Sequence, residues 1–337
     1  MPDAADDITI MGNFPKADTA PPAPETKPGG NGTGEHPPGD SNAAPDTPPA
    51  GRTPTEELDG EVLAKGWAAF AARKPVKHAV VSWAARTDMG RVREHNEDKF
   101  DFFDPEDPTQ LAMRGRLWAV ADGMGGHSAG QIAAEWALKT LIRSYYSPSV
   151  PDDAEQALQM ALSEANTLIF NAARKFEKAN GMGTTLVVAV VKEDVLTLAH
   201  VGDSRAYLLR TGQPMRQITV DHSWIEEQVR HGMLSRAEAE ASPYRNFITR
   251  SVGIYDVVEA DVLALPVQKD DIILLCSDGL SNYLDEAAMT SIIQGKSLSR
   301  ATLDLIDAAN VAGGKDNITA LLLKVHSIGP YGETDRG

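Results

Sequence analysis

Cysteine is almost missing from this chain: of 337 residues only Cys276 carries a thiol. One thiol cannot close an internal disulfide, and nothing else points to an oxidising compartment. Basic residues are also scarce, 32 Lys and Arg against 48 Asp and Glu, for a formal net charge of −16. A general nucleic-acid binder would show a basic patch or stripe, so no nucleic-acid partner is expected. The longest apolar stretches, such as Thr184–Val191, stop far short of the ~20 residues a membrane span needs. The opening Met1-Pro2-Asp3-Ala4-Ala5-Asp6-Asp7 is acidic and has no apolar stretch, unlike a secretory signal. The expectation is therefore a soluble, cytoplasmic protein without a membrane partner. Hydrophobic residues at 42% and charged residues at 24% suit a globular chain that buries a real core.

Residues 1–52 are rich in Pro, Gly, Ala and Asp, with Pro21-Pro22, Gly29-Gly30 and Pro48-Pro49. Such a stretch cannot bury enough apolar surface to offset the cost of ordering, so disorder is expected. Ile8, Ile10, Met11 and Phe14 interrupt it, either as a docking motif beside a phosphorylatable Thr9 or as unremarkable tail sequence. Thr53-Pro54-Thr55-Glu56 then reads as a capping box with proline at the first helical position. Leu58, Val62, Trp67, Phe70 and Ala71 follow near helical spacing, so 53–77 is expected to be an amphipathic helix and linker. From His78 onward the texture is a compact α/β mixture, and 329–337 reads as a C-terminal tail. Apolar runs predict strands at Ala79–Ala84, Leu117–Ala121, Thr184–Val191, Leu196–His200, Val258–Leu265 and Ile272–Cys276. Amphipathic patterns predict helices at Ala129–Tyr146, Asp153–Asn180, Trp224–Gly232, Glu286–Gln294 and Ser299–Ala309. Several strand pairs are joined by connections too short for a crossover helix, which makes neighbouring strands antiparallel.

Two segments share one design. Leu117-Trp118-Ala119-Val120-Ala121 runs into Asp122-Gly123, and Ile272-Ile273-Leu274-Leu275-Cys276-Ser277 runs into Asp278-Gly279. Each buried strand delivers a carboxylate at its end. Either alone is an ordinary turn signal. Their company raises the interest: Asn96-Glu97-Asp98, Gly123-Met124-Gly125-Gly126, Gly202-Asp203-Ser204-Arg205 and Lys315-Asp316-Asn317 also stand at element boundaries. Glycines there would let backbone carbonyls approach an ion. With no cysteine cluster or paired-histidine spacing, zinc is poorly supported, and hard oxygen ligands favour magnesium or manganese.

In chain order these motifs resemble the metal-dependent protein phosphatase family, protein phosphatase 2C, in its bacterial form. The series is Thr87-Asp88-Met89-Gly90 with Arg93 and Asn96-Glu97-Asp98, then Val120-Ala121-Asp122-Gly123-Met124-Gly125-Gly126-His127. Gly183-Thr184-Thr185, Val201-Gly202-Asp203-Ser204-Arg205, Cys276-Ser277-Asp278-Gly279-Leu280 and Asp316-Asn317-Ile318-Thr319 complete it. The resemblance implies an α+β fold, an αββα sandwich of two antiparallel β-sheets flanked by helices, over a catalytic domain at 78–328. It implies hydrolysis of phosphoserine and phosphothreonine on proteins by a metal-bridging hydroxide. Manganese or magnesium is implied as two ions with a third held more weakly. By resemblance Asp122 bridges two ions, the Gly123 carbonyl ligates one, and Asp278 and Asp316 hold the other. Asp98, with Glu97, serves the centre directly or through water, and Asp203 shares the looser ion with Asp278. Arg93 matches the arginine that grips substrate phosphate through a planar fork.

His127 stands apart. In many eukaryotic members a histidine directly follows the Asp-Gly pair, whereas here Met124 holds that place and His127 comes three residues later. It is a general acid or a residue that caps the loop. The implied partners are phosphorylated proteins, including a bacterial serine/threonine kinase or its substrates, met by a monomeric enzyme. The polar segment Arg230 to Arg250 matches a variable flap beside the active site. Cys276 cannot belong to a tyrosine-phosphatase loop, since Asn282 stands where that loop needs arginine, so it reads as a buried strand residue. Asp221-His222-Ser223 spells a hydrolase triad in letters only, and Ser223 with Glu226 reads as a capping box. Rival readings are a non-catalytic phosphoprotein-binding module and a phosphatase dedicated to one regulatory phosphoprotein.

Overall fold

A computed structural model describes residues 76–331 apart from 126–127, 241, 243 and 245–246. The expected helix and linker at 53–77, the tail at 1–52 and the residues from 332 on lie outside the described residues, save 76 and 77. Twelve strands are described: β1 Lys77–Asp88, β2 Lys99–Phe103, β3 Arg116–Ala121, β4 Gly123–Met124, β5 Gly183–Thr184, β6 Leu186–Lys192, β7 Val195–Val201, β8 Arg205–Leu209, β9 Arg216–Gln217, β10 Asp261–Pro266, β11 Ile272–Cys276 and β12 Ile318–Pro330. The helices are α1 Pro108–Arg114, α2 Ser128–Tyr145, α3 Ala154–Lys175, α4 Trp224–Arg230, α5 Arg236–Glu240, α6 Asp278–Ser281, α7 Glu286–Ile293 and α8 Leu298–Ala312.

One antiparallel sheet runs β1-β12-β11-β8-β9, and the second runs β10-β7-β6-β3-β2. The side-chain period of two decides what each sheet faces. In β3, Leu117, Ala119 and Ala121 pack with residues of α2 and α3, while Trp118 and Val120 pack against the other sheet. In β11, Ile273 and Leu275 enter the inter-sheet layer, whereas Leu274 and Cys276 join Leu305, Ile306 and Ala309 of α8. Strands covered on both faces read as unbroken apolar runs. The result is the expected αββα sandwich, with three apolar layers. Each fully buried Leu, Ile or Val contributes about 1.5–3 kcal/mol relative to exposure.

The short Glu193-Asp194 turn between β6 and β7 gives the antiparallel register Val191↔Leu196, as the brief connection required. Cys276 is fully buried in β11, and burial pushes its thiol up to about 12. The Ser223 hydroxyl accepts from the Glu226 N–H at 3.3 Å, so that cap forms as expected. Other expectations need correction. The strand placed at Val258–Leu265 begins only at Asp261, where pairing with His200 of β7 starts. The helix placed at Asp153–Asn180 closes at Lys175 and continues as a short 3₁₀ turn. The strands β2, β8 and β12 were not anticipated, although the 13-residue β12 pairs with both β1 and β11.

Candidate active site

Five aspartates stand where strands begin or end. Asp98 precedes β2, Asp122 follows β3, Asp203 lies between β7 and β8, Asp278 follows β11, and Asp316 precedes β12. Strand register brings them together. Lys99 pairs with Ala121, which sets Asp98 beside Asp122. Cys276 pairs with both Arg205 and Ala320, which draws the Asp203 and Asp316 arms toward Asp278. Both sheets thus contribute carboxylates to one end of the sandwich.

Hydroxyls and amides fix this group from behind. Buried Asp98 accepts at Oδ2 from Ser277 Oγ at 2.6 Å and Thr319 Oγ1 at 2.7 Å. The Asp122 backbone N–H donates to Thr185 Oγ1 at 3.0 Å, and its carbonyl accepts from the Thr185 N–H and Thr184 Oγ1. Asn282 Nδ2 donates to Asp278 Oδ2 at 3.0 Å. Asn317 is a hub: it donates to the carbonyls of Met89 and His95 and accepts from the Glu97 N–H at 2.8 Å. Ser277, Thr319, Thr184, Thr185 and Asn317 were given no role in the sequence reading. Their signal was already there, since each sits inside one of the quoted motifs, Ser277 and Asn317 directly beside an aspartate.

Arg93 Nη2 donates to Asp316 Oδ2 at 2.9 Å, and its side chain stays 38% exposed. Burial opposes its charge, but the Asp316 bond and the charges of Asp122 and Asp278 hold its pKa above the ordinary value. A half-exposed guanidinium at the rim of an acidic basin is placed to meet an anion from solution. His127 and Gly126 lie outside the described residues.

Close backbone approach explains the glycines. A Cβ on Gly123 would stand 2.2 Å from the Gly130 carbonyl oxygen, and one on Gly279 would stand 2.0 Å from that of Asn317. The Asp-Gly pairs are therefore packing requirements as well as turns. Gly279→Ala is expected to destabilise the fold by about 1–3 kcal/mol, the usual cost of overpacking, which denaturant unfolding would measure.

The electrostatics are unfavourable without a cation. Burial, opposed by the Ser277 and Thr319 bonds, raises Asp98 to about 6, and burial with Asp221 raises Asp203 to about 7. Burial and the neighbouring aspartates also push Asp122 and Asp278 well above the usual carboxylate range. Glu97 is raised, chiefly by burial. Among the described residues, Glu97 Oε1, Asp98 Oδ1, Asp203 Oδ1 and Asp278 Oδ1 are buried without a hydrogen-bond partner. Orphan carboxylate oxygens converging in one basin are costly unless a cation takes them up. An oxygen-only donor set fits hard divalent ions such as manganese or magnesium.

One described group brings its ligand atoms within 4.8 Å of one another as it stands, and it is not the aspartate set: His200, His222 and Asp261. It is close enough to hold a metal ion, and the sequence reading did not single it out.

The fold and this basin define a metal-dependent phosphatase architecture, and comparison with known proteins agrees. The family model described as Protein phosphatase 2C matches residues 91–309. The chain belongs to the protein phosphatase 2C family, and its enzyme class is protein-serine/threonine phosphatase. It is 41% identical over 243 residues to "Serine/threonine phosphatase stp" of Listeria innocua, covering 71% of this chain and 94% of that one. The Mycobacterium tuberculosis serine/threonine phosphatase PstP/Ppp superposes with a TM-score of 0.65 at 32% identity, over 74% of this chain and 100% of the other. A PstP catalytic domain solved in complex with two manganese ions gives a TM-score of 0.64 at 32% identity, with the same coverage.

Proposed function

We propose that this chain removes phosphate from phosphoserine and phosphothreonine of proteins and opposes a bacterial serine/threonine kinase. Residues 78–328 act as the catalytic domain of a monomeric, cytoplasmic enzyme. The observation that carries this reading is the basin of Asp98, Asp122, Asp203 and Asp278 with its orphan buried oxygens, rimmed by Arg93. The similar PstP domain with two manganese ions supports it.

In this reading Asp122, the Gly123 carbonyl, Asp278 and Asp316 would hold two manganese or magnesium ions. Asp98 and Glu97 complete the centre, and Asp203 with Asp278 offers a looser third place. Such ions, when bound, lower the pKa of water and neutralise charge on the transferring group. The protein's own residues do the rest. Arg93 swings from Asp316 to the phosphoryl oxygens and orients the phosphorus toward the basin. Ser277 and Thr319 hold Asp98 at a single oxygen, leaving its other oxygen buried without a partner. Thr184 and Thr185 fix the backbone of Asp122 at both its N–H and its carbonyl. His127 or water protonates the leaving oxygen.

Arg93→Ala tests the phosphate grip. A lost charge-assisted hydrogen bond of about 1.5–3 kcal/mol corresponds to a roughly 10–100-fold lower kcat/KM on a phosphopeptide. Unchanged kinetics would place the grip elsewhere. Phosphoproteomes compared with and without active enzyme would show whether kinase targets accumulate phosphate.

A further inference from the structure

The segment 201–205 carries Asp203, and its backbone is held by a residue far along the chain. His222 touches Gly202 twice: the His222 N–H donates to the Gly202 carbonyl at 2.8 Å, and the Gly202 N–H donates to His222 Nδ1 at 3.2 Å. Gly202 has φ +108, and a Cβ there would stand 2.7 Å from Thr185 Cβ, so its conformation tolerates little adjustment. On the far side of Asp203, Asp221 binds Arg205 through two guanidinium nitrogens, at 2.9 and 2.6 Å. Consecutive residues Asp221 and His222 therefore brace the two sides of Asp203. Ser204 Oγ lies 2.7 Å from Thr185 Oγ1, which ties the same turn to Asp122.

The imidazole is fixed in one tautomer. Because Gly202 donates to Nδ1, that nitrogen accepts and the neutral ring carries its proton on Nε2, which lies 3.3 Å from Asp261 Oδ2 and 3.4 Å from Arg250 Nη1. His200 stacks on the ring with centroids 4.3 Å apart and gives its own Nε2 proton to the Val220 carbonyl at 2.9 Å. Arg250 already occupies Asp261 Oδ1 at 3.0 Å. A nitrogen that carries a proton cannot bind a metal, and Nδ1 is engaged by the backbone. Both nitrogens of His222 are thus engaged within the cluster of His200, His222 and Asp261.

We propose that His222 is a positioning residue that holds Gly202 so that Asp203 keeps its carboxylate aimed at the metal centre. This rests on the metal-centre reading and adds a residue to it. Asp261 and His200 act on His222, by keeping the proton on Nε2 and by filling the space behind the ring.

The test is calorimetric titration of metal-free protein with manganese, with turnover against manganese concentration as a second readout. His222→Asn keeps an acceptor where Nδ1 stood, while His222→Leu removes it. The leucine variant is expected to weaken the loosest manganese event about 10–100-fold, the usual effect of losing a residue that orients a ligand. Its tighter events stay unchanged, and the asparagine variant stays within about threefold of the unaltered protein. If His222→Leu does not fold, His222→Gln takes its place with the same expectation, since its amide reaches the Nε2 position instead. Equal titrations for the unaltered protein and for the leucine or glutamine variant would overturn the proposal. So would loss of one ion in both His222→Asn and His200→Gln, which would make the cluster itself a metal site. Absence of any manganese binding by the unaltered protein would overturn the metal-centre reading along with it.

Discussion

Asp278→Asn is expected to lower kcat on p-nitrophenyl phosphate by ~10²–10³-fold, the scale at which losing one preorganised electrostatic group shows in turnover. Asp278 is buried, opens α6, and has one oxygen held by Asn282 while the other has no partner. Asparagine preserves shape and the helix start, so the fold should survive. Stability gives a second, opposite-going signal. Burial and then Asp203, Asp316 and Asp98 raise the pKa of Asp278, which means its charge is resisted in the folded state. Removing that charge should make metal-free protein melt at a higher temperature near neutral pH. Loss of turnover together with gain of metal-free stability distinguishes a functional carboxylate from a structural one. A variant that lost both would mark Asp278 as part of the packing.

The second large effect is a stability profile that runs against the usual acid denaturation. Asp98 and Asp203 are raised from 3.8 to about 6 and about 7, so the folded state binds protons more tightly than the unfolded chain. Stability from these groups is fully present below the unfolded pKa and is lost as pH rises through the folded values. Metal-free protein should therefore lose stability between about pH 4 and pH 7. The melting temperature is expected to fall by at least about 4 °C across that window, at roughly 2–4 °C per kcal/mol for a domain of this size. Manganese added at the upper end should restore it, because an ion that binds only the folded state stabilises by mass action. A metal-free melting temperature that rises over the same window would contradict the electrostatic account of the basin.

Legibility in the sequence followed physical cause. The placement of Asp122, Asp278 and Asp316 at strand ends could be read because each is a carboxylate at the end of an apolar run or inside a motif, and local pattern carries that much. The antiparallel β6–β7 pair followed from a connection too short to cross over. Strand β12 went unpredicted although Ile318-Thr319-Ala320-Leu321-Leu322-Leu323 is buried on both faces and reads, like β3 and β11, as a largely apolar run. The hydrogen bonds of Ser277 and Thr319 to Asp98 span 179 and 221 residues, so no local window could reveal them. The same holds for His222, whose letters fell within a spurious triad while its contact with Gly202 is set by tertiary structure. Gly279 read as turn punctuation, and only the approach of Asn317 shows why no side chain fits there.

The central claim is that the aspartate basin works by holding divalent ions. Turnover of p-nitrophenyl phosphate by exhaustively chelated protein, followed by manganese add-back, tests it most directly. The account expects activity to vanish in chelator and return on addition of manganese, with no return in Asp122→Asn. Full turnover in chelator would contradict it.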